Sequence, residues 1–330
     1  MSDEAPRKTR AIPWGVVFAV ASCVSLIALA YYYVYNREIG GERARLIKER
    51  AALTAELAED YGTLRGKIEP WAVGLATQPW PGDLVDPDAR KLAWRERPVI
   101  YLRLRAADAA DNMSVHGNAK VSSLDGLSAC LLRSKGPGPW AYGDIAARAE
   151  FLGADFIRDV KETRNDLRLR QLTYALDQYK LKDWPEARDG SRLSEFAVIV
   201  IDEDPPQIPS QSALFGADAS VHQKILTTDH PVRFSLRRLS DGQELLRLRR
   251  TPNATLMQVA GDPTTNAAGL ELRKLQSLGC AMANEALELA GMKPGPEIVA
   301  NPPPLPALSV SAAPSASAVP SASASASASK

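Results

Sequence analysis

From Ile12 to Tyr35 the chain carries no charged residue and is apolar almost throughout: IPWGVVFAVASCVSLIALAYYYVY. A bilayer's hydrocarbon core takes roughly 20 apolar residues as a helix, and only a helix satisfies its own backbone amides there. Trp14 at one end and Tyr31, Tyr32, Tyr33 and Tyr35 at the other would form the aromatic belts of the two interfaces. The pattern predicts a transmembrane helix over residues 12–35, with the lipid bilayer as its partner.

Residues 1–11 carry Arg7, Lys8 and Arg10 and lead straight into the apolar run. That is the arrangement of an uncleaved signal anchor with a short cytoplasmic head and an exported body. Basic residues beyond the span (Arg37, Arg43, Arg45, Lys48, Arg50) blunt the positive-inside argument for that orientation. Two other arrangements are open. Ala28-Leu29-Ala30 has the small-x-small pattern of signal cleavage, and Val20-Ala21-Ser22-Cys23 resembles a lipobox that would acylate Cys23. The apolar run continues past both sites, which suits a spanning helix. All three arrangements export the body.

Past the span the pattern turns amphipathic. In residues 36–68, Ile39, Leu46 and Leu53 repeat every seven positions and Leu57 and Leu64 join the same frame, while Arg43, Arg50 and Gly40-Gly41 interrupt it. This predicts a juxtamembrane helix with two possible uses, a coiled coil that makes a homodimer or a stalk folded back on its own domain. Residues 69–97 carry Pro70, Pro79, Pro81 and Pro87, which argue against a long helix. They read as a connector whose Trp71, Trp80 and Trp94 are pinned to the domain rather than offered to a ligand.

Residues 98–300 read as one globular domain. PVIYLRLR alternates like a strand, Leu127 to Arg133 suggests another, and Phe196 to Ile201 (FAVIVI) suits a strand buried on both faces. Trp140 to Trp184 is free of proline and predicts one long helix, broken near Asn165-Asp166. Val232–Leu239 and Glu244–Arg250 flank Ser240-Asp241-Gly242, a hairpin signal. Thr255–Ala260 adds a candidate strand. A last helix over Ala267–Ala290 stops at Gly291. The expected fold class is α+β, with a largely antiparallel sheet and two main helices. Residues 301–330, rich in proline, alanine and serine, form a tail that cannot bury a core.

A net charge of +1 over 330 residues gives no reason to expect nucleic acid as a partner. Abundant alanine, with arginine outnumbering lysine, suggests a GC-rich bacterial genome and hence the bacterial inner membrane, with the domain in the periplasm. Cys130 and Cys280 are the only cysteines outside the span. In an exported body they pair as a disulfide or stand as two core thiols.

No motif for nucleophilic, phosphate-loop or zinc chemistry is present in the sequence, so no catalytic residue and no cofactor is assigned. His116, His222 and His230 share no ligand spacing and read as loop or surface residues. Two weaker candidates stand. Asp202, Glu203 and Asp204 follow the buried strand, where a carboxylate cluster could hold a divalent cation or could simply be a solvated strand exit. Arg233, Arg237, Arg247 and Arg249 alternate along the hairpin and would make one basic sheet face, able to take an anionic envelope ligand or an acidic partner. The leading expectation is an envelope protein with an exported binding or scaffold domain. The alternative is a membrane-tethered enzyme acting on envelope polymers or lipids through Asp202 and its neighbours.

Overall fold

The computed structural model describes residues 14–133, 135–163, 165–203, 230–251 and 267–292. Its longest element, helix α1 (Trp14–Thr77), joins the apolar run to the core of the domain without a break. Near its start Trp14, Phe18, Val24, Ile27, Leu29 and Tyr33 are all exposed. An 18-residue window of this helix has a mean hydropathy of 2.0 and none of it is buried. A surface that apolar is consistent with a membrane anchor.

Beyond Tyr35 the same helix buries one stripe: Ile39, Leu46, Leu57, Leu64, Ile68, Ala72 and Leu75. The stop expected before residue 69 does not occur, and Pro70 sits inside the helix. A proline there costs about 3 kcal/mol. Burying Ile68, Ala72 and Leu75 against the sheet offsets it, since one large aliphatic side chain is worth about 1.5–3 kcal/mol. Thr77 is the true end, where Arg233 Nη1 donates to the carbonyls of Leu75 (2.9 Å) and Gln78 (2.7 Å). Of the connector's tryptophans, Trp94 is fully buried and Trp71 and Trp80 pack against the core.

Six strands form one sheet: β1 (Leu84–Val85), β2 (Val99–Arg105), β3 (Trp140–Ala141), β4 (Phe196–Asp202), β5 (Val232–Arg238) and β6 (Glu244–Arg250). Their order is β1-β6-β5-β4-β2-β3. β2 pairs parallel with both β3 and β4, while β4, β5, β6 and β1 pair antiparallel. The expected largely antiparallel sheet is therefore mixed. The helices between β2 and β4 carry the chain over the sheet and return it in the same direction. β2 and β4 are buried at every position, as expected of FAVIVI.

One sheet face, with Val99, Tyr101, Val198, Phe234 and Leu236, packs under α2 (Pro87–Lys91), α4 (Gly126–Leu131) and the last helix, α9 (Ala267–Leu289). The other, with Ile100, Leu102, Ile199 and Ile201, packs under the end of α1, α3 (Asn112–Asn118) and α5 (Tyr142–Phe151). Residues 127–133, read as a strand, instead begin in α4. Asp125 caps that helix in a capping box with Ser128, a local signal that overrides the apolar run. α9 approaches so closely that a Cβ on Gly279 would lie 2.4 Å from the Leu127 backbone nitrogen. Beside it Cys130 and Cys280 are joined as a disulfide, Cα to Cα 5.1 Å.

The single long helix expected over 140–184 is a series: α5, α6 (Ala154–Glu162), α7 (Asp166–Gln178), a π-helical turn (Tyr179–Asp183) and α8 (Trp184–Leu193). The picture of two main helices is corrected accordingly. α6 and α7 cover α1, bringing Phe156, Val160, Leu169, Leu172 and Leu176 onto Ile39 and Leu46. The heptad stripe that could have made a coiled coil is thus buried within the chain. The hairpin and the last helix form where the sequence put them, with Gly242 (φ 75°) and Gly291 (φ 69°) in the left-handed region at their turns. The head, the Thr255–Ala260 strand and the 301–330 tail lie outside the described residues.

Candidate anion-binding cleft

Alternation along β5 and β6 sends Val232, Phe234, Leu236, Leu246 and Leu248 into the core beneath α4 and α9. The intervening residues point the other way. Paired register sets Arg233 against Arg249 and Ser235 against Arg247, with Arg237 following on the same face. All four arginines named from the sequence therefore share one face. The end of α1 and the turn after it reach the same place, so Trp71 lies 5.4 Å from the Arg237 guanidinium and Trp80 lies 5.8 Å from those of Arg233 and Arg247. Between them is a cleft of about 250 Å³, lined also by Pro70, Pro79 and Glu244.

Two carboxylates hold these cations in place. Glu244 accepts from Arg237 (3.0 Å), Arg247 (2.8 Å) and the Ser235 hydroxyl (2.6 Å). Glu203 accepts from Arg233 (2.6 Å) and Arg249 (2.7 and 2.8 Å). Burial pushes the Glu203 carboxyl up, but Arg249 and Arg233 outweigh it and hold it below the usual carboxylate range. With the guanidinium groups of Arg233, Arg237 and Arg247 against the one carboxylate of Glu244 in its lining, the cleft keeps a positive balance. Its indole walls and forked N–H donors suit a carboxylate, phosphate or sulfate group.

Asp202 and Glu203 do not converge. Neighbours in an extended chain face opposite ways, and Asp202 is fully buried on the side of α4. It accepts a two-pronged bond from Arg103 (both 2.8 Å) and lies 2.8 Å from His230 Nε2. Arg103 also bonds Asp125, the α4 cap, at 2.8 Å, and Tyr101 donates to the same carboxylate oxygen at 2.7 Å. Burial would raise the Asp202 carboxyl, yet Arg103 and His230 hold it well below the usual range. Burial, then Asp125, pushes the Tyr101 phenol well above its ordinary value. Asp204 lies outside the described residues. Among the described residues no group of three His, Cys, Asp or Glu side chains could hold a metal.

Of the two described histidines read from the sequence as loop or surface residues, His230 lies in the loop before β5 but is buried there, and His116 lies in α3. His230 is 2% exposed. His116 sits between buried Glu69, 3.0 Å from its Nδ1, and Glu150 at its Nε2, while the Tyr142 hydroxyl donates to the same Glu69 oxygen at 3.0 Å. His222 lies outside the described residues. Nothing in their spacing betrays either pairing: His116 meets Glu69 and Glu150 where α3 packs on α1 and α5, and His230 meets Asp202 across the antiparallel pairing of β4 with β5.

Tyr142, Tyr101 and Arg103 were likewise missed as polar members of the core. The one available signal was an arginine inside the otherwise apolar strand PVIYLRLR, level with the acidic end of FAVIVI. Compared with protein-family models, curated proteins and solved structures, the chain matches none.

Proposed function

We propose that the protein is a single-pass, membrane-anchored envelope protein whose body is an exported binding or scaffold domain, with the Trp71–Trp80–Arg237–Arg247 cleft as its anion-accepting surface. The observation that carries this is the continuity of α1, whose exposed apolar start runs without interruption into the stripe buried under the sheet. Such a helix fixes the domain to the surface of whatever bilayer the apolar start crosses. Two further features favour the exported side of a bacterial inner membrane. The chain begins with a basic head, and the bonded Cys130–Cys280 pair suits an oxidising compartment.

A reporter enzyme fused after Met292 tests the orientation. Activity from a reporter that folds only outside the cytoplasm, and silence from one that works only inside, is the expected result. The opposite pattern would overturn the exported assignment and move the search for a ligand to the cytoplasm.

A further inference from the structure

Two contacts fix how α7 and the π-helical turn that continues it lie on α1. The Thr173 hydroxyl donates to Glu42 at 2.9 Å, and Lys180 bonds Glu49; both pairs are 131 residues apart in sequence. Equal separations mean that the two helices run parallel in one constant register. Counting back along that register sets Leu167 level with Asn36 and Asp166 level with Tyr35. A cleft of about 480 Å³ between the helices agrees, with Tyr35 and Glu38 on one wall and Asp166, Arg170 and Tyr174 on the other. α6 descends antiparallel beside them: Arg50 Nε bonds the Leu152 carbonyl at 2.5 Å, and Arg43 bonds that of Thr163. α6 therefore ends, and α7 begins, at the height of the tyrosine belt.

The start of α7 presents an apolar side chain beside two cations. Leu167 is 63% exposed and stands outside the buried stripe of Leu169, Leu172 and Leu176. Arg170, whose side chain is 77% exposed, lies three residues on and bonds Asp166 at 2.8 Å. Arg168 is exposed beside them and reaches Asp159 at 2.8 Å. An apolar side chain flanked by two guanidinium groups, each paired with an aspartate, matches a bilayer interface, where acyl carbons and headgroup phosphates lie within a few ångströms of each other.

We propose that the start of α7 rests on the same bilayer that α1 crosses, with the Leu167 side chain in the interface and Arg168 and Arg170 among the headgroup phosphates. This rests on α1 being a spanning helix. The bilayer is the occupant because the start of α7 is continuous, at the same height, with the Tyr31–Tyr35 belt. The domain is then held to the membrane at two points.

The test uses the full chain carrying Cys23→Ala, with its disulfide kept oxidised, in phosphatidylcholine–phosphatidylglycerol nanodiscs. An environment-sensitive fluorophore is attached at Leu167→Cys or, as a control, at Leu181→Cys. Leu181 is more exposed than Leu167 but lies about 21 Å further along the helix, away from the membrane. The expected result is a blue-shifted label at 167, quenched by headgroup-proximal nitroxide lipids several-fold more than the label at 181. Equal quenching and water-like emission at both positions would overturn the proposal while leaving the anchor intact. A blue shift at 167 without lipid quenching would mean a protein contact, such as a second copy, and would overturn it too. Failure of the chain to co-purify with nanodiscs would remove the spanning helix, and the docking with it.

Discussion

Asp202 and Glu203 are adjacent in sequence, and each is answered by arginine, yet they belong to different regimes. Asp202 is fully buried with Arg103 and His230 on the α4 side of the sheet. Glu203 lies on the α1 side with Arg233 and Arg249 and keeps 18% of its side chain in solvent. On one side the pair has no water to fall back on, and removing either partner strands a charge in the core. On the other, water can replace a lost partner and the cations stay available to a ligand. The same residue types thus serve as a lock on one face and as a receptive surface on the other.

The largest test of that contrast is Asp202→Asn. Breaking a buried ion pair from one side costs about 3–5 kcal/mol, read as a lowered urea midpoint of the protein in detergent. Glu203→Gln is expected to cost about 1 kcal/mol or less, and less again in high salt. Equal losses from the two substitutions would erase the distinction.

Acid separates them further. Both carboxyls are depressed in the folded state, so as pH falls below about 4 the unfolded chain takes up the protons first. The stability they contribute is complete above that range and is lost as pH drops through the folded values. Asp202 is held lower than Glu203, so its share goes last. In Asp202→Asn the fall in stability at the acid end is expected to be shallower than in the parent.

The sharpest effect on function, beside a modest one on stability, is expected from Trp80→Ala. Losing its contacts with Arg233 and Arg247 costs about 1 kcal/mol, while affinity for inorganic phosphate, followed by calorimetry, drops several-fold. Unchanged phosphate binding would leave the cleft as a structural seam.

The parts of this fold legible in the sequence are those encoded locally. The apolar run, FAVIVI, the Asp-Gly hairpin and the Gly291 stop each carry their signal within a few residues. Pro70 misled because the burial that carries α1 past it comes from a sheet formed later in the chain. The 140–184 run misled in a different way. Its apolar steps are helical throughout, but Gly153 and the Asn165 cap divide it into pieces that can fold back along α1. The basic face of the hairpin followed from simple alternation. That Trp71 and Trp80 would close over it did not, because the tryptophans arrive on a helix expected to end before them.

That uninterrupted helix has a mechanical side. Its 64 residues measure about 96 Å, of which about 60 Å project beyond Tyr35. There is no swivel between the apolar start and the part under the sheet, and Arg233 clasps the far end. A change in tilt of about 10°, small beside the range that membrane helices adopt as bilayer thickness varies, would swing that end by about 10 Å. With its apolar start in a bilayer the chain would act as a lever, and membrane thickness would set the angle at which its cleft is carried.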